Sequence, residues 1–130
     1  MPITQVIGPK KRPDGTSLPI SGAVQAGDFL FLSGQLAMNA ERRIEGQDIE
    51  AQTTQTLENI DATLAEAGRS KADIVKASVW LTSTEDFMGF NRAYAKFFGD
   101  LPPPTRSTVC SALMEPSALI EIEVLAYVGD

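Results

Sequence analysis

The sequence predicts an α+β domain: one mixed sheet with two helices packed on one of its faces. Three observations carry this. Segments such as Ile74 to Thr82 alternate apolar and polar residues, the period of a strand with one face in a core. Two other segments repeat apolar residues at three and four positions, the spacing of an amphipathic helix. Their order, strand, strand, helix, strand, helix, strand, strand, gives a single sheet with a helical layer.

Leu18 to Gln25 reads as a short strand, Gly27-Asp28 as a turn, and Phe29 to Ser33 as a buried strand ending at Gly34, so the two pair as a hairpin. Asp48 opens the first helix, in which Ile49, Thr53, Leu57, Ile60 and Leu64 share a face, and Gly68 stops it. In the next strand Ala77, Val79 and Leu81 alternate with Lys76, Ser78 and Trp80. Ser83 and Asp86 start the second helix, whose Phe87, Phe90, Tyr94 and Phe97 are expected to form the face packed on the sheet. Leu101 to Pro104 cannot continue a helix and leads stiffly into strands over Arg106 to Leu113 and Leu119 to Val128. Phe29, Phe31, Trp80 and Leu125 on the uncovered sheet face argue for a homo-oligomer.

At 130 residues the chain is expected to be one domain, 1–130, with an extended N-terminal segment over 1–17. That segment holds a basic Lys10, Lys11, Arg12 cluster but no apolar stretch long enough for a signal peptide or membrane span. Cys110 is the single cysteine, so no internal disulfide can form, and a soluble, cytoplasmic protein is expected. A net charge of −6 argues against a nucleic-acid partner. The absence of histidine removes Ser-His-Asp and Cys-His catalysis and every His-ligated metal site. No Walker loop or Gly-x-Gly-x-x-Gly fingerprint is present, so neither a metal nor a nucleotide cofactor is expected.

What remains is carboxylate, guanidinium, hydroxyl and backbone chemistry. Arg106 heads an alternating stretch, and Glu121 lies on a strand whose other face is Ile120, Ile122, Val124, Ala126 and Val128, so its side chain projects away from the core. A fixed cation and a sheltered carboxylate suit acid/base work on a small acid. From pattern alone an arginine at a strand start is more often a solvated or ion-paired rim residue than a site residue, and an exposed edge strand explains Glu121 and Glu123 equally well. Asn91 lies beside the aromatic stripe of the second helix, either as a border amide or as a site residue. Ser33 reads as a strand-end hydrogen bonder, since nothing nearby would activate it as a nucleophile, and Cys110 as a packing residue.

Pro104, Thr105, Arg106 and the stretch Ser107 to Leu113, followed by Ile120, Glu121, Ile122, Glu123, resemble the signature of the YjgF/RidA family. Ser33-Gly34-Gln35, Asp73 to Lys76, Asp86-Phe87, Asn91, Tyr94 and Phe97-Phe98 match as well, so the resemblance spans roughly residues 18 to 128. It implies a chorismate-mutase-like fold, a homotrimer with clefts between subunits, and hydrolysis of reactive 2-imino and enamine acids to 2-oxo acids and ammonia without metal or cofactor. By resemblance Arg106 holds the substrate carboxylate and Glu121 positions the attacking water. Gly34 and Thr108 lend backbone groups, and Asn91 and Tyr94 line the pocket with Ser33 and Ile20. Imine deaminases of the family carry a cysteine at Thr108 and a tyrosine at Ile20, which leaves the identity of the substrate open. A carboxylate-metabolite binding or regulatory protein is the alternative, and ribonuclease a third reading that the charge and missing histidine disfavour.

Were the last two strands a simple hairpin pairing Leu113 with Leu119, Arg106 would lie about 17 Å along the ladder from the residue facing Glu121, too far to share a small ligand. Either those strands are separated in the sheet, or the site is completed across a subunit boundary.

Overall fold

In the computed structural model, which describes residues 3–129, the chain runs β1 (Ile3–Ile7), β2 (Ala23–Ala26), β3 (Phe29–Leu32), α1 (Ile49–Glu66), β4 (Ile74–Leu81), α2 (Phe87–Phe98), β5 (Thr105–Cys110) and β6 (Ile120–Tyr127). The strands form one mixed sheet in the order β1-β2-β3-β6-β4-β5, with β4 and β5 parallel and every other pair antiparallel. β4 therefore lies between the last two strands, which separates them as one of the two expectations required.

Local chemistry explains the helix ends. The Asp48 carboxylate accepts from the Ala51 N–H at 2.8 Å, and Gly68 follows the helix with φ 76°, a turn that a side chain would oppose. Ser83 caps a short 3-10 turn over Thr84–Asp86, and α2 begins only at Phe87. Both helices cover one face, where Leu57, Ile60, Leu64 and Phe90 meet Leu30, Val79, Ile120 and Ile122, all at most 1% exposed. Burying each such side chain contributes about 1.5–3 kcal/mol.

Several boundaries differ from the sequence reading. Residues 3–7, expected as part of an extended segment, form the edge strand β1 on β2. Its alternation is masked because Ile3 is 75% exposed and the strand buries only Ile7. Leu18 to Ser21 is not strand: Pro19 lacks an N–H for a ladder, and the chain turns there, with the Ile20 N–H donating to Leu18 O. The buried face of α2 is Phe90, Ala93, Tyr94 and Phe98 rather than Phe87, Phe90, Tyr94 and Phe97. Phe87, at the first turn, is 41% exposed, and Phe97 is half-buried beneath the Lys71 ammonium.

On the uncovered face, Phe31 and Leu125 are register partners, Phe29 packs edge-on against Tyr127, and Val24 and Trp80 are half-buried beside them. No helix among the described residues is long and apolar enough to cross a membrane.

Candidate active site

Register decides which side chains can meet. Arg106 pairs with buried Ala77, which pairs with buried Val124, so Arg106 points to the helical face. Thr108, opposite buried Val79, points the same way. Glu121 pairs with Trp80, itself opposite exposed Val109, and so points to the open face. Two strand spacings and three residues separate Arg106 from Glu121, about 14 Å between Cα atoms, and the sheet lies between their side chains. One chain cannot close these two residues on one small acid.

Two half-sites result. On the helical face the Arg106 guanidinium carbon lies 4.8 Å from the Phe90 ring centre, 4.9 Å from that of Tyr94 and 5.8 Å from that of Phe87. Cation–π contacts of this kind contribute about 0.5–2 kcal/mol each and hold the planar group in orientation. Among the described residues the one ion pair is Arg92–Glu50, and no carboxylate there pairs with Arg106. The Tyr94 hydroxyl and Thr108 Oγ1 beside it are buried without hydrogen-bond partners. Burial pushes the Tyr94 phenol up against the opposing pull of Arg106. Unpartnered buried groups cost about 1–3 kcal/mol each, and such sites are where an external molecule completes the bonding. Asn91, one turn before Tyr94 on α2, is half-buried at the rim. Phe87 and Phe90 were read from the sequence only as core. Their role as a platform follows from facing β5, and the aromatic spacing of α2 was the available signal.

The second half-site lies where β3 gives way. Phe31 pairs with Leu125, but Gln35 pairs with Ile122, so Ser33 and Gly34 together oppose Glu123 as a bulge. Ser33 N–H donates to Gly22 O and Gln35 N–H to Ile122 O, while Gly34 N–H donates to no acceptor among the described residues. The Glu121 side chain lies flat against Gly34: a Cβ added there would overlap its carboxylate. Burial, and secondarily the charge of Glu123, raises the Glu121 carboxyl above its ordinary value. The Ser33 hydroxyl donates to Ser21 O at 2.6 Å and so ties the loop bearing exposed Ile20 to the bulge. Ile20, Ser33 and Gly34 line a concavity of ≈ 390 Å³. No group of three or more His, Cys, Asp or Glu among the described residues is arranged to hold a metal.

The predicted residues thus sort into Arg106, Thr108, Tyr94 and Asn91 on one face and Glu121, Gly34, Ser33 and Ile20 on the other. Comparison with known proteins adds the family. The profile of the family described as Endoribonuclease L-PSP matches residues 10–128. A RutC family protein of Pyrococcus horikoshii is 42% identical over 110 residues, 84% of this chain and 86% of its own. The chain belongs to the YjgF/RidA family. Its fold is that of solved YjgF/RidA proteins: a conserved Rid family protein of Yersinia pestis superposes with a TM-score of 0.86 at 35% identity, covering 98% of this chain and 100% of that one. Among the YjgF/RidA relatives, Reactive Intermediate Deaminase A of Arabidopsis thaliana is 35% identical over 123 residues, 94% of this chain and 65% of that protein.

Proposed function

We propose that this protein is a cofactor-free deaminase that hydrolyses 2-imino and enamine acids to 2-oxo acids and ammonia, in clefts between the subunits of a homotrimer. The observation that carries this reading is the Arg106 guanidinium, oriented on aromatic rings and paired with no carboxylate among the described residues. A planar fork in that state suits a 2-carboxylate, which it binds through two parallel charge-assisted hydrogen bonds. The similarity to a reactive-intermediate deaminase supports the reaction type.

Opposite orientation of the half-sites supports a cleft between copies. The Arg106 edge of one subunit meets the Glu121 cradle of the next, and the apolar open face around Phe31 and Leu125 supplies the contact surface. With the acid fixed by Arg106, Glu121 accepts a proton as water oxygen adds to the carbon of the protonated imine, and the C=N double bond becomes the C–N single bond of a carbinolamine. Glu121 returns that proton to nitrogen and then takes the hydroxyl proton as the carbonyl forms and the C–N bond breaks, releasing ammonia and the 2-oxo acid. An enamine first takes a proton on carbon to become the imine. Burial, by raising the Glu121 carboxyl, makes it a stronger base for the first step and leaves it protonated as the donor for the second. The unpaired Gly34 N–H is available to hold water or the developing negative charge.

Co-refolding two inactive variants tests the shared cleft. Arg106→Ala and Glu121→Gln, each inactive alone, should regain about a quarter of wild-type imine hydrolysis when mixed, because about that share of clefts unites an intact arginine with an intact glutamate from the next chain. No recovery in verified mixed oligomers would refute the cleft. Slow wild-type turnover of several imino acids, no faster than spontaneous hydrolysis, would refute the enzyme.

A second reading, a carboxylate-binding or regulatory protein, is favoured by one observation. The one hydroxyl among the predicted residues grouped with Glu121, that of Ser33, is committed as a donor to Ser21 O, and Ile20 brings no polar group. Ligand binding without turnover distinguishes it. Ribonuclease action has the net charge of −6 and the absence of histidine against it.

A further inference from the structure

Five of the 11 cationic residues fall in two short stretches, Lys10-Lys11-Arg12 and Arg42-Arg43, in a chain of net charge −6. The fold brings Lys10, Arg12 and Arg42 to the wall of the ≈ 390 Å³ concavity that also contains Gly34, against which the Glu121 carboxylate lies. Glu115 is the one carboxylate on that wall, and it accepts from Ser117 Oγ at 3.1 Å. None of the three cations forms an ion pair among the described residues. Arg12 Nε donates to Thr16 Oγ1 at 3.1 Å, which steadies its side chain.

Arg42 is unusual twice. Among the described residues it is the only non-glycine in the left-handed region, with φ 62°, where glycine or asparagine is the ordinary occupant. Asn39 builds this turn: its Oδ1 accepts from the N–H groups of Glu41 and Arg43, and its carbonyl from that of Arg42. The Arg42 Nε is also buried with no hydrogen-bond acceptor. A strained backbone and an unmatched donor at one arginine mark a place where a fold presents charge to an external partner.

We propose that Lys10, Arg12 and Arg42 receive a second carboxylate of the ligand, so that the imino acid turned over beside Glu121 is a dicarboxylic one. Its 2-carboxylate sits on Arg106 of the adjoining subunit and its distal carboxylate on this basic wall. The turnover half of this statement, with the seat of the 2-carboxylate on the adjoining subunit, rests on the function proposed above; the binding half, a carboxylate held by the basic wall, does not.

Two measurements on the wild-type oligomer separate those halves. Calorimetric titration compares glutarate with butyrate. Imine hydrolysis compares iminosuccinate, made in situ from aspartate by an aspartate oxidase, with the imino acid of leucine made by an amino-acid oxidase. The dicarboxylate should be favoured about tenfold or more in both Kd and kcat/KM, the difference one charge-assisted contact produces. Arg42→Asn, which keeps a residue suited to the left-handed turn, should bring both ratios toward one. A Lys10→Gln/Arg12→Gln double variant on the exposed part of the wall should lower them independently of that turn. Ratios near one in wild type, or unchanged in both variants, would overturn the proposal. Turnover of monocarboxylic imines without a dicarboxylate preference would remove the basic wall and leave the deaminase. Dicarboxylate binding without turnover of any imine would keep the wall and remove the deaminase.

Discussion

Gly34→Ala is the sharpest perturbation of the proposed chemistry, because it acts on Glu121 without touching it in sequence. The new methyl carbon would overlap a Glu121 carboxylate oxygen and lie 3.1 Å from its carboxyl carbon and 3.3 Å from its Cγ. Gly34 is not among the residues with positive φ, so alanine meets no backbone strain there. The crowding falls on the far end of a half-buried, flexible side chain, which relieves it by swinging aside. Restoring ordinary contact moves the carboxylate by about 1 Å, and a misplacement of that size costs about 10²-fold in rate. Stability should barely change, since the lost glycine freedom of the unfolded chain offsets about 0.4–1 kcal/mol of any strain. The expected result is a kcat/KM for imine hydrolysis about 100-fold below wild type, with a melting temperature within about 4 °C. Wild-type kcat/KM in a normally melting Gly34→Ala protein would refute the reasoning, because the carboxylate would then not need its place against Gly34.

Arg106→Lys keeps the charge and loses the fork, so kcat/KM should fall about 10- to 100-fold, corresponding to about 1.5–3 kcal/mol, while thermal unfolding stays close to wild type. Steady-state kinetics beside a melting curve checks both. For Glu121 the folded-state pKa is raised, so the folded protein holds its proton more tightly than the unfolded chain. Stability from that proton is fully present below the unfolded value of about 4.5 and is lost as pH rises through the folded value. Glu121→Gln should therefore melt above wild type at pH 7, the gap closing near pH 4, while turnover is lost; a variant that melts below wild type at pH 7 contradicts the burial argument. Phe31→Asp places a charge on the apolar open face, 49% exposed in the single chain, and should shift sedimentation to monomer and abolish turnover.

Much of the fold was legible because its signals are local. Asp48 and Gly68 bound α1 through their own backbone and side-chain chemistry, and the alternation of Ala77, Val79 and Leu81 reports a half-buried strand whatever its neighbours. The failures fall where the deciding partner is distant. β1 is a strand because β2 offers it an edge, and nothing in Ile3–Ile7 announces that pairing. The buried face of α2 takes Phe98 in place of Phe97 because the helix packs on α1 as well as on the sheet, which leaves Phe97 under Lys71, and that docking is not written in the spacing of α2 itself. Lys10-Lys11-Arg12 was visible as a cluster, but its convergence with Arg42 on one concavity is a property of the folded loops.

By itself the sequence determined the chemistry available: no histidine, one cysteine, an arginine and a glutamate on separate strands, and motifs resembling one family. Only the tertiary structure decided how those groups face. Side-chain direction on a strand follows from local alternation, but which face of a sheet becomes the core depends on where the helices land and which strands become neighbours. Inserting β4 between β5 and β6 puts Arg106 with Phe90 and Tyr94 under the helices and Glu121 with Gly34 on the open side. Two residues that read as one couple are held apart by the thickness of a sheet, and a small acid can meet both only where one chain's edge adjoins another chain's face.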